Sequence, residues 1–493
     1  MSTHAAAYDE IPYPTRARPW THPDRLATLG TLFGMTPANP DRARVLELGC
    51  GDCSNLVGIA FHHPQARIVG VDYAAGPLQR GRAMAEYLGL HNLELHRADL
   101  LEYRPHEQFD YIIAHGLYSW VPEAVRTRIF EICRENLSEH GLGFISYNAL
   151  PGWYFRMLVR DLMRYHTREL HNPAEKLTAA AEIAAWISGA SPDDECGRVI
   201  REEVRHIAEC DEHHIYHDDL APIQEPIYLH EFIASAACHR LQYVADVDSV
   251  LGATAVGEGR KVQQFAGDNF VRGEQYLDFL HVRRFRQSLI CHEGIALDRS
   301  LAAPPLQDMH VASSMPPGAE QPDGTQQFRL DANRTVTTNQ PWAKHLLTTL
   351  AAAWPNTLPL AQFDGWQQHR DTILRLFAAE ALRLRTAPIR APRHAGDRPQ
   401  VSALTRAEVA AGAMLATNPY HHMVDVSDPC LRELIPLLDG TRDRATLAAA
   451  LTASVRTGRC QLDSSSGRDL ESALPAQIEK ALSTLGGSGL LAG

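Results

Sequence analysis

Between positions 45 and 53 the chain reads Val-Leu-Glu-Leu-Gly-Cys-Gly-Asp-Cys, with Gly49 and Gly51 directly after an apolar run. Glycine tolerates a left-handed backbone and carries no Cβ, so the main chain can approach a ligand where a side chain would collide. Asp72 stands 72 − 51 = 21 residues after the second glycine, at the end of a second apolar run. A carboxylate there can accept both hydroxyls of a ribose. Asp99 follows a third run, where a short polar side chain can bond an adenine amino group. The spacing Gly49-x-Gly51-x-x-Ser54 also approaches the G-x-G-x-x-G of nicotinamide binders. What separates the two readings is Glu47, two residues before the first glycine, together with Asp99 and the stretch FDYII.

A second group gathers where a fourth and a fifth apolar run end: His115, Tyr118 and Trp120 after one, Tyr147, Asn148 and Trp153 after the other. Aromatic faces attract cations, and Gly116 leaves its backbone open to a reacting group. Tyr118, Tyr147 and His115 are the catalytic candidates, with packing as the alternative role for both tryptophans. Trp120, Asn148, Trp153 and His217 are the candidates for binding an acceptor. Tyr8 and Tyr13, in the proline-rich strap YDEIPYPTRARPW, are candidates to fold over the ligand. His213 and His217 are four apart, a zinc spacing if helical, but the segment lies next to a loop and has no obvious further ligands. A polar surface loop is the default reading, with a loop lining the acceptor cleft as the alternative, and no metal is expected. Cys50 and Cys53 form a C-x-x-C inside the glycine loop with no second pair, which argues against zinc or redox chemistry.

Short apolar segments at Val45–Leu48, Arg67–Val71, Leu93–His96, Phe109–Ala114 and Gly143–Tyr147 read as buried parallel strands. Helical patterns lie between them at Asn55–Phe61, Pro77–Leu88 and Pro122–Asn136, the second stopped by Gly89. The alternation predicts an α/β, Rossmann-like, doubly wound, mostly parallel sheet, followed by helical and mixed α+β accessory domains. Thr21 and Asp24 form a capping box ahead of a helix carrying Leu26, Leu29 and Leu32. The expected division is a core with its strap over 1–150, a helical segment over 151–212, a middle domain over 213–298, a linker over 299–330 and a C-terminal domain over 331–493. Within the middle domain HVRRFRQ reads as the solvated face of an amphipathic helix packed through Phe279, Leu280 and Phe285. Ala303–Gln326, dense in Pro, Gly, Ser and Gln, reads as the linker.

The chain has 493 residues, too many for one core, and a formal charge of 47 − 59 = −12. That balance disfavours duplex DNA as the main partner and suits a cationic acceptor. No apolar run has the roughly 18 residues of a membrane span, and MSTHAAAYDE lacks the features of a signal peptide. Nine scattered cysteines fit a reducing compartment, so a cytoplasmic location is expected. The segment 153–210 has long apolar faces and little core of its own, which points to a homodimer.

The set Glu47, Gly49, Gly51, Asp72, Asp99 and FDYII resembles class I S-adenosylmethionine-dependent methyltransferases. By that resemblance Glu47, Gly49 and Gly51 surround the methionine moiety, Asp72 binds the ribose and Asp99 the adenine; Tyr73, Leu100 and His115 are further cofactor-binding candidates. Cys53 departs from the pattern, which has glycine there. Longer strings, YDEIPYP, THPDRLATLGTLFGM, AHGLYSWVP, SYNALPGW, IYHDDL, EPIYLHEF and EQYLDFLHVRRFRQSL, are similar to bacterial proteins that join such a core to a methyltransferase regulatory domain. That family includes rickettsial protein-lysine methyltransferases, so the resemblance implies S-adenosylmethionine as cofactor and a lysine-bearing protein as acceptor. A lysine must lose its proton to react, which costs roughly 4.6 kcal/mol at neutral pH. A small-molecule or RNA methyltransferase and a non-catalytic cofactor-binding regulator remain as alternatives.

Overall fold

The computed structural model describes residues 11, 13, 15–248, 252, 258–301, 304–331, 334–460 and 470–492. Tyr8 lies outside the described residues. The central sheet has seven strands in the order β3-β2-β1-β4-β5-β7-β6. They are β1 Arg44–Leu48, β2 Arg67–Asp72, β3 Leu93–Arg97, β4 Phe109–Ala114, β5 Leu137–Asn148, β6 Leu241–Asp246 and β7 Phe285–His292. The first five pair in parallel, with the chain reversing direction across the sheet at β1 and β4. β7 runs antiparallel to β5 and to β6. The expected doubly wound α/β fold is therefore present, and strands from the middle segment complete its sheet.

Period-two alternation sorts the strand residues onto two faces. Val45, Ile68, Tyr111, Phe144 and Leu289 share one core with Leu26, Leu29, Leu56 and Ile59. Leu46, Val69, Ile112, Ile145 and Ile290 share the other with Ile129, Phe130, Phe232 and Ala236. The first core continues without a break into Leu346, Leu350, Phe377 and Leu384 of the C-terminal half.

Three local expectations are corrected. HVRRFRQ is not one solvated helix face: the helix Phe270–His281 ends, Val282 takes a left-handed conformation, and β7 begins at Phe285. Phe279 and Leu280 point outward, while Arg286 is fully buried. Its guanidinium reaches Asp278 at 2.7 and 2.8 Å, Glu274 at 3.1 Å, Tyr243 at 3.1 Å and Asp246 at 3.3 Å. The buried carboxylates make a charged residue tolerable in a central strand. The stretch expected as a loose linker is packed where it is described: Leu306, Met309, Val311, Met315 and Phe328 enter the first core and short strands form at His310–Ala312, Pro317–Glu320 and Gln326–Arg329. Thr21 does not cap the helix Pro23–Leu32. The cap is His22, whose Nδ1 accepts from the Asp24 N–H at 3.2 Å, while the Thr21 hydroxyl donates to Arg18 O.

Candidate active site

The glycine loop is bent by three left-handed residues in alternation, Gly49 (φ 74°), Gly51 (φ 56°) and Cys53 (φ 64°). Its first N–H groups, from Gly49 and Cys50, donate to Val71 O at 2.8 and 3.1 Å, which fixes the loop to the end of β2. Asp72 closes the other side. One carboxylate oxygen accepts from Gly51 N–H and the other from Ala74 N–H, both at 2.8 Å. Each oxygen keeps a further lone pair for a ribose hydroxyl. Burial pushes the Asp72 carboxyl up, opposed by those N–H groups. Asp99 holds the start of the next turn through Leu101 N–H at 3.0 Å, with Leu100 buried and the Tyr73 side chain exposed.

Glu47, next to last in β1, is almost completely buried. Its Oε1 accepts from Asn55 Nδ2 at 3.0 Å, and its Oε2 is buried with no hydrogen-bond partner. Desolvation pushes the carboxyl up to about 8. A buried acceptor without a donor costs stability, and an amino group placed over the glycine loop would supply one. The donor set therefore fits the amino acid end of S-adenosylmethionine, with Asp72 and Asp99 at spacings suited to its nucleoside.

Cys53 replaces the third glycine yet keeps glycine's conformation, at a strain of about 1–2 kcal/mol for an L residue. Its buried Sγ lies 3.5 Å from Cys50 Sγ and 3.7 Å from Gly51 O. The hydrogen bond with Cys53, and burial after it, push the Cys50 thiol well up. Cys53→Gly is expected to leave S-adenosylhomocysteine affinity within about twofold of wild type, read by calorimetry, because relief of strain offsets the lost thiol packing. A tenfold loss in a folded variant would assign the thiol a role.

The strap lies directly on the loop. The Thr15 hydroxyl bonds Asp52, and a Cβ on Gly51 would meet Thr15 Cγ2 at 2.6 Å. Further along, Trp20 packs edge-on against His115, ring centroids 6.1 Å apart. In the other direction Tyr13 packs among His213, His214 and His217 at 5.2–5.7 Å, and His217 Nε2 lies 2.6 Å from Ile11 O. His217 thus anchors the strap. Asp211, His213 and His214 bring ligand-type atoms within 4.8 Å of one another.

At the end of β4, His115 Nδ1 lies 3.0 Å from Ser146 Oγ, which also accepts from Gly116 N–H at 2.9 Å. Burial and Arg18 push the imidazole down to about 3, too weak a base to deprotonate an amine. Tyr118 and Tyr147, expected at the reaction centre, instead turn their rings into the second core. Tyr147 stacks on Phe232 at 4.4 Å and bonds Ser288 Oγ at 3.1 Å. Tyr118 packs against Phe130 and Phe232, and burial pushes its hydroxyl up to about 12.

Trp120 and Trp153 do meet, edge to face at 6.3 Å, both half-buried. Asn148 is buried, its backbone N–H donating to Ser119 Oγ at 2.8 Å and its Nδ2 without a partner. The middle segment crosses here: Glu225 N–H donates to Ser119 O at 2.9 Å and Ile227 N–H to Asn148 O at 3.0 Å. It brings in Gln224, whose two side-chain amide atoms are both buried and unpartnered. Sequence reasoning missed Gln224, Ser146 and Asn55, for which no spacing gave a signal.

Comparison with known proteins agrees with this geometry. Residues 45–141 match a methyltransferase domain, 211–292 a predicted methyltransferase regulatory domain, and 397–490 the C-terminal winged helix domain of PKMT. An uncharacterized protein of Rickettsia prowazekii (strain Madrid E) is 32% identical over 370 residues, 72% of this chain and 66% of that one. A second from the same organism is 31% identical over 237 residues, 48% of this chain and 95% of its own length. PKMT2 from Rickettsia typhi, also solved in complex with AdoHcy, superposes with a TM-score of 0.86 at 24% identity, over 98% of this chain and 100% of that one.

Proposed function

We propose that this chain, which belongs to the family of class I S-adenosylmethionine-dependent methyltransferases carrying a regulatory domain and a PKMT-type winged helix, methylates lysine side chains of a protein. The observation that carries the cofactor assignment is Glu47 Oε2, a buried acceptor without a donor two residues ahead of the glycine loop. The lysine acceptor is supported by the paired tryptophans, the unpartnered amides of Asn148 and Gln224, and the likeness to PKMT2.

S-adenosylmethionine supplies a methyl group already activated on a sulfonium. The chain's own work is alignment. Glu47 holds the amino group of the cofactor, Asp72 its ribose and Asp99 its adenine. Trp120 and Trp153 present aromatic surface to the acceptor side chain, and the Gln224 amide oxygen can accept from an amine N–H, turning the nitrogen lone pair toward the sulfonium. His115 is too weakly basic, and Tyr118 and Tyr147 are held protonated in the core. The lysine therefore enters as the neutral amine drawn from solution. Turnover at subsaturating acceptor is expected to rise about tenfold per pH unit from pH 7 to 9, as the neutral fraction does. A profile that levels off near pH 7 would instead require a base within the site.

Two copies are proposed to pair through the helices Trp153–His166 and Pro173–Ala190, where Tyr154, Phe155, Leu158, Tyr165 and Trp186 are exposed. Light scattering at micromolar concentration is expected to give twice the chain mass; a single-chain mass would refute the pairing. Nine free cysteines support residence in the cytoplasm, and among the described residues no helix is long and apolar enough to cross a membrane.

A further inference from the structure

Behind the glycine loop, Asn55 in the first turn of the helix Ser54–His62 is buried and uses every donor and acceptor of its amide. The backbone N–H of Arg18 donates to Oδ1 at 3.0 Å, which fixes the orientation of the group. Nδ2 therefore donates to Glu47 Oε1 at 3.0 Å and to Thr21 Oγ1 at 3.0 Å. The remaining lone pair of Oδ1 faces His421 Nε2 at 2.8 Å. With Nδ1 of that ring unpartnered, the imidazole must carry its proton on Nε2.

His421 comes from the far end of the chain. It sits in the turn of the hairpin Leu415–Thr417/Met423–Asp425, within the winged helix region, fully buried and left-handed at φ 60°. The flanking residues of that turn are tied inward as well: the Tyr420 hydroxyl donates to Pro355 O at 2.9 Å, and Arg383 donates to His422 Nε2 at 2.7 Å. On the opposite side the helix offers Gly58, where a Cβ would lie 3.0 Å from His421 Cε1 and 3.1 Å from Nδ1. A glycine in mid-helix is unfavourable on its own, and here it makes room for the ring.

We propose that His421 of the winged helix is a positioning residue for cofactor binding: through the Asn55 amide it holds the Glu47 carboxyl so that Oε2 stays directed at the cofactor's amino group. The proposal rests on the assignment of Glu47 above. It makes the C-terminal domain part of the cofactor site, reached by a chain of two hydrogen bonds.

Calorimetry of S-adenosylhomocysteine on the full chain tests it. His421→Leu fills the space of the ring without a donor, whereas His421→Gln returns an N–H donor close to the position of Nε2. Leu is expected to weaken binding about tenfold and Gln no more than about twofold, as for a lost and a retained hydrogen bond aligning a charged group. Leu should add nothing in an Asn55→Ala background. A purely structural role would affect Leu and Gln alike and would appear only in thermal stability. Gly58→Ala, which favours the helix while displacing the ring, is expected to weaken binding several-fold and serves if the Leu variant does not fold. A folded Leu or Gly58→Ala variant that binds like wild type overturns the proposal, as does a Gln variant as weak as Leu. Wild type that binds no S-adenosylhomocysteine would overturn the Glu47 assignment, and the proposal with it.

Discussion

Glu47→Gln is expected to weaken S-adenosylhomocysteine about ten- to hundredfold, the loss for a hydrogen bond to a charged partner of about 1.5–3 kcal/mol. The larger signature lies in the pH dependence. Without ligand, desolvation holds the Glu47 carboxyl up at about 8, so at neutral pH it carries a proton. An ammonium group beside Oε2 favours the ionised form and expels that proton. Affinity should therefore rise with pH through neutrality and level off above about pH 8, with proton release visible as buffer-dependent heats in calorimetry. The glutamine variant should lose both the release and the slope. Equal proton release in the variant would move the effect to another group.

Arg286→Leu is expected to cost about 3–5 kcal/mol, the usual result of removing one partner from a buried ion cluster. For 493 residues unfolding together that lowers Tm by roughly 3–5 °C. Asp246, Glu274 and Asp278 would remain buried in or beside the sheet with Arg283, 2.9 Å from Asp278, as the remaining nearby cation. Burial pushes the Asp278 carboxyl up and Arg286 opposes it, so without that guanidinium the folded variant binds more protons than its unfolded state. The deficit against wild type should accordingly be largest near neutral pH and shrink as the pH falls. Unfolding followed by circular dichroism at several pH values measures it, and an unchanged Tm would show that the arginine contributes no net stabilisation.

The same two residues mark how far the sequence could be read. Glu47 was legible because the glycine loop has few backbone solutions and its acids fall at strand ends with fixed spacing. β7 was not, because Arg283, Arg284 and Arg286 look like a solvated face until three distant carboxylates are placed around one of them. On β5 the strand was legible but its facing was not: the alternation that directs Ser146 toward His115 turns Tyr147 into the opposite core. Gln224 and His421 reach their places through tertiary contacts with Ser119, Asn148 and Asn55, and no local pattern encodes such meetings. The strap was read as a cover for the ligand, and Thr15 is found on the glycine loop.

Methyl transfer to protein lysine is tested most directly by incubating the full chain with methyl-labelled S-adenosylmethionine and a lysate of its own cells. Label should appear in the protein fraction, and peptide mass spectrometry should place it on lysine side chains, with the signal lost for Glu47→Gln. Label confined to RNA or small molecules, with none on lysine, would contradict that account.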